Sequence, residues 1–162
     1  MGNKVNKQLY DLEYSNLEIA EIIPDMNRLL SNYQIFSQKL KGFYWNIVGQ
    51  DFFDLRNQFK DLHDRSVINI NEIAERIRIL NQTPPNQVKD YKKLGIIDEN
   101  GMNIGGFEMV KIVLQDILTL LSILRDCIKS AIETRDYGTE YLAKKIIFGL
   151  EKDHRDLVSW LK

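Results

Sequence analysis

Apolar residues recur in alternating steps of three and four along most of the chain, the spacing of one stripe down an α-helix. No stretch alternates in the two-residue rhythm of a strand. From Pro24 to Val48 the stripe runs Leu29, Tyr33, Phe36, Leu40, Phe43 and Ile47, with Pro24 suited to a first helical turn and Gly49 to the end. A second stripe follows Asp51, read as its cap: Leu55, Phe59, Leu62, Ser66, Ile70, Ile73, Ile77 and Leu80, stopping at Pro84 and Pro85. The third, after Gly105 and Gly106, is Phe107, Val110, Leu114, Ile117, Leu121, Leu124, Ile128 and Ala131. The fourth starts near Thr139, after the turn-like Asp136-Tyr137-Gly138, and carries Ala143, Ile147, Leu150, His154, Leu157 and Leu161.

Four amphipathic helices that bury one another's stripes make an all-α bundle. Loop lengths choose its topology. The turns at 49–51 and 135–138 are short enough to join antiparallel neighbours, whereas Gln82 to Gly105 is a crossover that a simple up-down bundle does not need. Val88 to Leu94 is predicted to form a short helix within it, anchored by Tyr91 and Leu94. One long crossover between helices two and three is the ferritin-like arrangement. The bundle is assigned to residues 24–162. Residues 1–23, with a weaker stripe at Leu9, Leu12, Ile19 and Ile22, are assigned to an N-terminal extension.

Composition narrows the chemistry. The 162 residues fit one domain, and 22 basic residues against 23 acidic ones leave a net charge of -1, too balanced for a global field toward nucleic acid or anionic lipid. With a single cysteine, Cys127, no intramolecular disulfide forms; with no leader or long apolar run, the expected compartment is the cytoplasm and no membrane is expected as a partner. Only His63 and His154 are present, which excludes sites built from several histidines.

The run Phe43-Tyr44-Trp45-Asn46-Ile47-Val48-Gly49-Gln50-Asp51-Phe52-Phe53-Asp54-Leu55, followed by Asn71-Glu72-Ile73-Ala74-Glu75-Arg76-Ile77, resembles the Dps family of mini-ferritins. That family's pattern is roughly His-Trp-Asn-x-x-Gly-x-x-Phe-x-x-x-His-x-x-x-Asp, then Asp-x-x-Ala-Glu-Arg. Asp136-x-Gly138-Thr139 and Trp160 are similar to it as well, and the resemblance spans about residues 25–162. It implies a four-helix subunit in a hollow twelve-subunit shell that oxidises iron(II) with peroxide, stores the ferric mineral and in many members coats DNA. It also implies a ferroxidase site between two subunits, built from two histidines and a carboxylate of one and an aspartate and a glutamate of its two-fold mate.

Carried over position by position, these ligands fall on Tyr44, Arg56, Lys60, Asn71 and Glu75, so Glu75 is the only one retained. Iron takes imidazole nitrogen and carboxylate oxygen, whereas Arg56 and Lys60 are cations with no lone pair to offer. Asn71 keeps an oxygen without the charge, and Tyr44 would ligate only as a phenolate, its ordinary pKa being about 10. Arg56, Lys60, Asn71 and Glu75 share one face about 100° wide, but Lys60 and Asn71 lie about 16 Å apart along the helix. They meet only across an antiparallel copy. The register that sets residue 56 against 75 and 60 against 71 puts the two-fold near Arg65 and Ser66, with Arg56 facing the mate's Glu75 and Lys60 its Asn71.

Other residues carry smaller expectations. His63 with Asp64 is a candidate for a relocated site, and His154 reads as a core histidine. Tyr33, Phe36, Phe43 and Phe59 are expected in the core, Trp45 and Trp160 as packing anchors, and Cys127 as an inert thiol. Asp126, Glu133, Asp136 and Glu140 cluster at the junction where the family places its three-fold pores, and a carboxylate ring there would attract cations. For DNA, Lys4 and Lys7 are outnumbered by Asp11, Glu13, Glu18 and Glu21, leaving Lys144, Lys145, Lys152 and Arg155 as a weak patch.

Three readings of function follow. The first is a shell subunit that has lost most of its intersubunit ferroxidase ligands, self-assembling or co-assembling with an active relative, with little or no iron oxidation of its own and no cofactor assigned. The second is a working mini-ferritin that oxidises iron at an altered site, using Glu75 with Tyr44, His63, Asp64 or the pore carboxylates. The third is a helical scaffold or DNA-associated protein that forms no cage.

Overall fold

The computed structural model describes residues 12–99 and 104–162, and every regular element among them is helical. The helices are α1 (Asn16–Asn46), α2 (Phe52–Ile79), α3 (Val88–Leu94), α4 (Gly106–Glu133) and α5 (Tyr137–Leu161). α1 packs on α2 and α4, and α5 packs on α4 and α2, so the four long helices close into a bundle; α3 lies in the crossover against α1. This is the ferritin-like topology. Among the described residues no helix is long and apolar enough to cross a membrane.

α1 begins at Asn16, well before Pro24. A capping box nucleates it: Ser15 Oγ accepts from the Glu18 amide at 3.2 Å, and the Glu18 carboxylate accepts from the Ser15 amide at 2.8 Å. Pro24 therefore sits inside the helix, where it has no N–H for the Ala20 carbonyl. Packing holds that turn in place, because Ile22 and Met26 on either side of it are both 1% exposed. Residues 16–23 are thus continuous with the bundle; Leu12 is exposed, and Leu9 lies outside the described residues.

The second stripe is buried at all eight positions, although the Asp51 side chain makes no capping hydrogen bond. Gly49, with φ of 102°, supplies the left-handed residue that ends α1 and turns the chain into α2. On α4, Phe107 is exposed rather than buried, and Met109, Val113, Leu120, Ile123 and Cys127 widen the apolar face beyond the single stripe. That breadth follows from its position, since α4 is pressed by both α1 and α5.

Inside the core two charges are joined. Lys39 Nζ on α1 lies 2.6 Å from Asp116 Oδ2 on α4, the side chains 3% and 9% exposed. Burial pushes the Asp116 carboxyl above its usual range, and Lys39 opposes the shift. A carboxyl whose folded pKa is raised binds its proton more tightly when folded, so its contribution to stability grows as pH falls through that pKa. This pair does not drive acid unfolding.

Taking away one member of such a pair strands the other charge in the core, whereas replacing both leaves only apolar packing. Lys39→Met and Asp116→Leu are each expected to cost about 3–5 kcal/mol, and the double variant to equal or exceed the parent in stability. Urea unfolding of the four proteins measures this directly.

Candidate functional site

The five positions to which the resemblance points lie near the α1–α2 turn and along the outer side of α2. Tyr44 and Arg56 are half-buried; Lys60, Asn71 and Glu75 are exposed. Lys60 is already engaged within its own chain, its Nζ 2.7 Å from Asp64 Oδ2 one turn on. Asp64 holds the Lys60 ammonium above its usual pKa, and Lys60 in return holds the Asp64 carboxyl below its own. A depressed carboxyl contributes stability that is lost as pH falls through its folded pKa, so this exposed contact opens in acid.

His63 is turned inward. Its Nδ1 stands 3.0 Å from the Ser37 carbonyl and 3.1 Å from Ser37 Oγ, and because a carbonyl only accepts, Nδ1 carries the proton. The Tyr44 ring lies over the imidazole at 5.6 Å between centroids. His63 and Asp64 therefore diverge, one toward α1 and one along the surface toward Lys60, and do not form the relocated pair. Among the described residues, no three His, Cys, Asp or Glu side chains come close enough together to hold a metal ion.

Near the expected two-fold at Arg65 and Ser66, neither side chain lies on the face of Lys60 and Asn71. Ser66 is buried and donates to the Leu62 carbonyl at 2.8 Å, while Arg65 points toward α5 and pairs with Asp153 at 2.7 Å. The residues that share the face of Lys60 and Asn71 at this level are Asp64 and Val67, with Ile68 at its margin; all three are exposed.

The carboxylates assigned to a pore do not form a ring of free acids within this chain. Asp136 is 0% exposed. Its Oδ1 accepts from Arg76 Nη2 at 2.6 Å and from the Thr139 amide at 2.9 Å, and its Oδ2 accepts from the Thr139 hydroxyl. The Tyr14 hydroxyl adds a contact of 3.3 Å to both Arg76 and Asp136. Asp136 is thus an N-cap and a buried ion-pair partner, closed to any cation from solvent. Asp126 pairs with Arg28 and Glu140 with Lys144, and Glu133 raises the pKa of Glu21 by hydrogen bonding to it.

Of the two tryptophans, Trp160 packs against the core, while Trp45 is 63% exposed with Lys41 over its ring. His154 is half-buried rather than enclosed. Cys127 is 1% exposed, and burial pushes its thiol well up, which keeps it protonated and inert. Sequence reasoning missed Arg76 and Lys39. Both sit beside or within an apolar stripe where a long cation has no solvent to reach, and that misfit with the helical period was the available signal.

A family model for the ferritin-like domain matches residues 24–162. An uncharacterized protein of Haemophilus influenzae is 34% identical over 123 residues, covering 76% of this chain and 77% of its own. The DNA protection during starvation protein 2 of Bacillus anthracis is 29% identical, covering 82% and 90%. Among solved structures, the Dps protein of Vibrio cholerae O1, described as a member of a broad superfamily of ferritin-like diiron-carboxylate proteins, superposes with a TM-score of 0.88 at 32% identity, covering 94% of this chain and 99% of its own. The chain belongs to the ferritin-like family, as one of its Dps-type members.

The Arg76 guanidinium also explains Gly138. A Cβ there would lie 2.6 Å from the guanidinium carbon, and Arg76 is fixed by Asp136 and Thr139 and cannot swing aside freely. Arg76→Ala is expected to cost about 3–5 kcal/mol by stranding Asp136. Gly138→Ala should destabilise the parent but become neutral or stabilising in the Arg76→Ala background, where only the helix preference for alanine remains. Thermal unfolding of the cycle reads that change of sign.

Proposed function

We propose that this chain is a Dps-type shell subunit whose intersubunit ferroxidase centre has been replaced by a charge-paired contact, acting as a structural cage or co-assembling with an active relative. The observation that carries the reading is that Arg56 and Lys60 occupy successive turns of one face of α2 where the family pattern has an imidazole and a carboxylate. Two cations there raise the energy of an iron(II) ion, and neither has a free electron pair for it. The donor set does not fit iron as a substrate. Asn71 and Glu75, the positions the family's second subunit would contribute, add a single carboxylate.

The same face has the character of a contact between copies. Val67 and Ile68 are 40% and 58% exposed on α2, midway between Lys60 and Glu75. An antiparallel copy with its two-fold between residues 65 and 66 would cover this apolar surface, oppose Asp64 to Val67, and set Arg56 against Glu75 of the partner subunit. Lys60, which the resemblance sets opposite Asn71, has its own Asp64 as a competing partner. An ion pair formed on this face fixes which copies meet and in what register more than it stabilises them.

Anaerobic titration of iron(II) into the purified protein, followed by peroxide, tests the chemistry. The expected outcome is no stoichiometric binding and ferric absorbance that grows at the rate of a buffer control, in a particle whose mass is that of a multi-subunit shell. Rapid oxidation abolished by Glu75→Ala would establish the altered-site ferroxidase instead, and a monomeric mass would remove the shell. For the contact itself, Arg56→Glu is expected to reduce the assembly to smaller species and the exchange Arg56→Glu with Glu75→Arg to restore it, as read by light scattering.

A further inference from the structure

The crossover is held to the bundle in a different way from the four long helices. No residue of α3 is buried, and Tyr91 and Leu94 are only half-covered, so the anchors expected from the sequence do not carry the segment. Between residues 81 and 97 the single buried side chain is Ile97, at 6% exposure. The main attachment is instead one amide. Asn32, wholly buried on α1, accepts from the backbone N–H groups of Ile96 and Ile97 at 2.8 and 3.0 Å. Its Nδ2 donates to the Arg28 carbonyl at 2.8 Å and reaches the Leu94 carbonyl at 3.4 Å.

The side of α1 next to this pin is polar and incompletely satisfied. Ile35 touches the crossover at Gly95, where an added Cβ would lie 2.3 Å from its Cδ1. One and two turns before Ile35 stand Ser31 and Asn27. Ser31 is 0% exposed, and Ser31 Oγ and Asn27 Oδ1 are both buried without a hydrogen-bond partner. A buried polar atom left unpaired raises the energy of the closed form, and that cost vanishes once water reaches it. At the other end of the segment Asn81 adopts a left-handed backbone, φ of 59°, directly after α2 ends. A residue type that tolerates this conformation stands where the chain leaves the bundle.

We propose that residues 81–97 form a strap, pinned by Asn32, that opens from α1 as a unit while the four long helices stay packed, and that its opening admits water to Asn27 and Ser31. The closed strap is held by a few hydrogen bonds, one buried isoleucine and the half-covered Tyr91 and Leu94, and is opposed by two buried polar atoms with no protein partner. The bundle is held by the whole apolar core. Two separate free energies of opening follow from that difference.

Hydrogen–deuterium exchange of the intact protein, read by mass spectrometry, tests the strap. In the wild type, amides of 88–97 should exchange well before those of buried segments of α1, α2 and α4. Asn32→Ala is expected to speed exchange at 94–97 by about tenfold or more with the α2 and α4 cores unchanged, because the lost acceptor serves the strap alone. Ser31→Ala, which deletes one unsatisfied hydroxyl, is expected to slow exchange of the same segment. Exchange of 88–97 in step with the core, or a Ser31→Ala variant whose strap exchanges faster, would overturn the proposal. The wild-type and Ser31→Ala measurements decide it even if Asn32→Ala fails to fold.

Discussion

The buried pair of Arg76 and Asp136 organises one whole end of the molecule. Asp136 caps α5 through the Thr139 amide, and that cap sets the tight turn from α4. The same carboxylate draws the Arg76 guanidinium in from α2, and Tyr14, just before α1, closes over both. Three long helices and the entry to the fourth are thereby referenced to two side chains. An ion pair with 14% and 0% exposure contributes little net free energy once desolvation is counted, but it rejects arrangements in which either charge lacks its partner. The apolar stripes drive the helices together, and this pair decides how their ends align.

The opposite end is fixed by space and backbone conformation. Gly49 turns the chain through a left-handed residue, and α4 begins so close to α2 that a Cβ on Gly106 would lie 2.6 Å from Leu55. Between the two ends the Lys39–Asp116 pair crosses from α1 to α4, and Arg65–Asp153 joins α2 to α5. Charge is thus placed at seams between helices. On the outer face of α2 it is arranged quite differently: Lys60 and Asp64 satisfy each other on the surface, and Arg56 and Glu75 stand apart along the same helix.

Periodicity made the bundle legible because a stripe of apolar side chains has one good solution, burial against other stripes. The four long helices, the crossover and even the limits of α3 follow from it. What periodicity misses is any residue whose placement depends on a partner far along the chain. Asp136 reads as one acid among several at a turn, and only Arg76, sixty residues earlier, makes it an interior residue. Pro24 reads as a helix start because local preference favours it there, yet Ser15 and Glu18 start the helix sooner and packing at Ile22 and Met26 carries it through the proline. Ser66 fits the buried stripe and also neighbours the expected two-fold; its angle on α2 gives its side chain to the core. The candidate site was readable as a set of substitutions, since ligand chemistry is a property of residue type, but not as geometry, because the contacts of His63 and Arg65 are tertiary.

The burial of Cys127 bears on chemical durability. Thiols and thioethers are the side chains that peroxide oxidises most readily, and susceptibility follows exposure and thiolate character. The only thiol of the chain lies inside α4 and stays protonated, and the two methionines among the described residues, Met26 and Met109, are 1% and 3% exposed. Each of these sulfur atoms sits behind the same apolar packing that holds the helices together. Resistance to an oxidant is in this respect a by-product of folding, and it would fail only where the bundle itself opens.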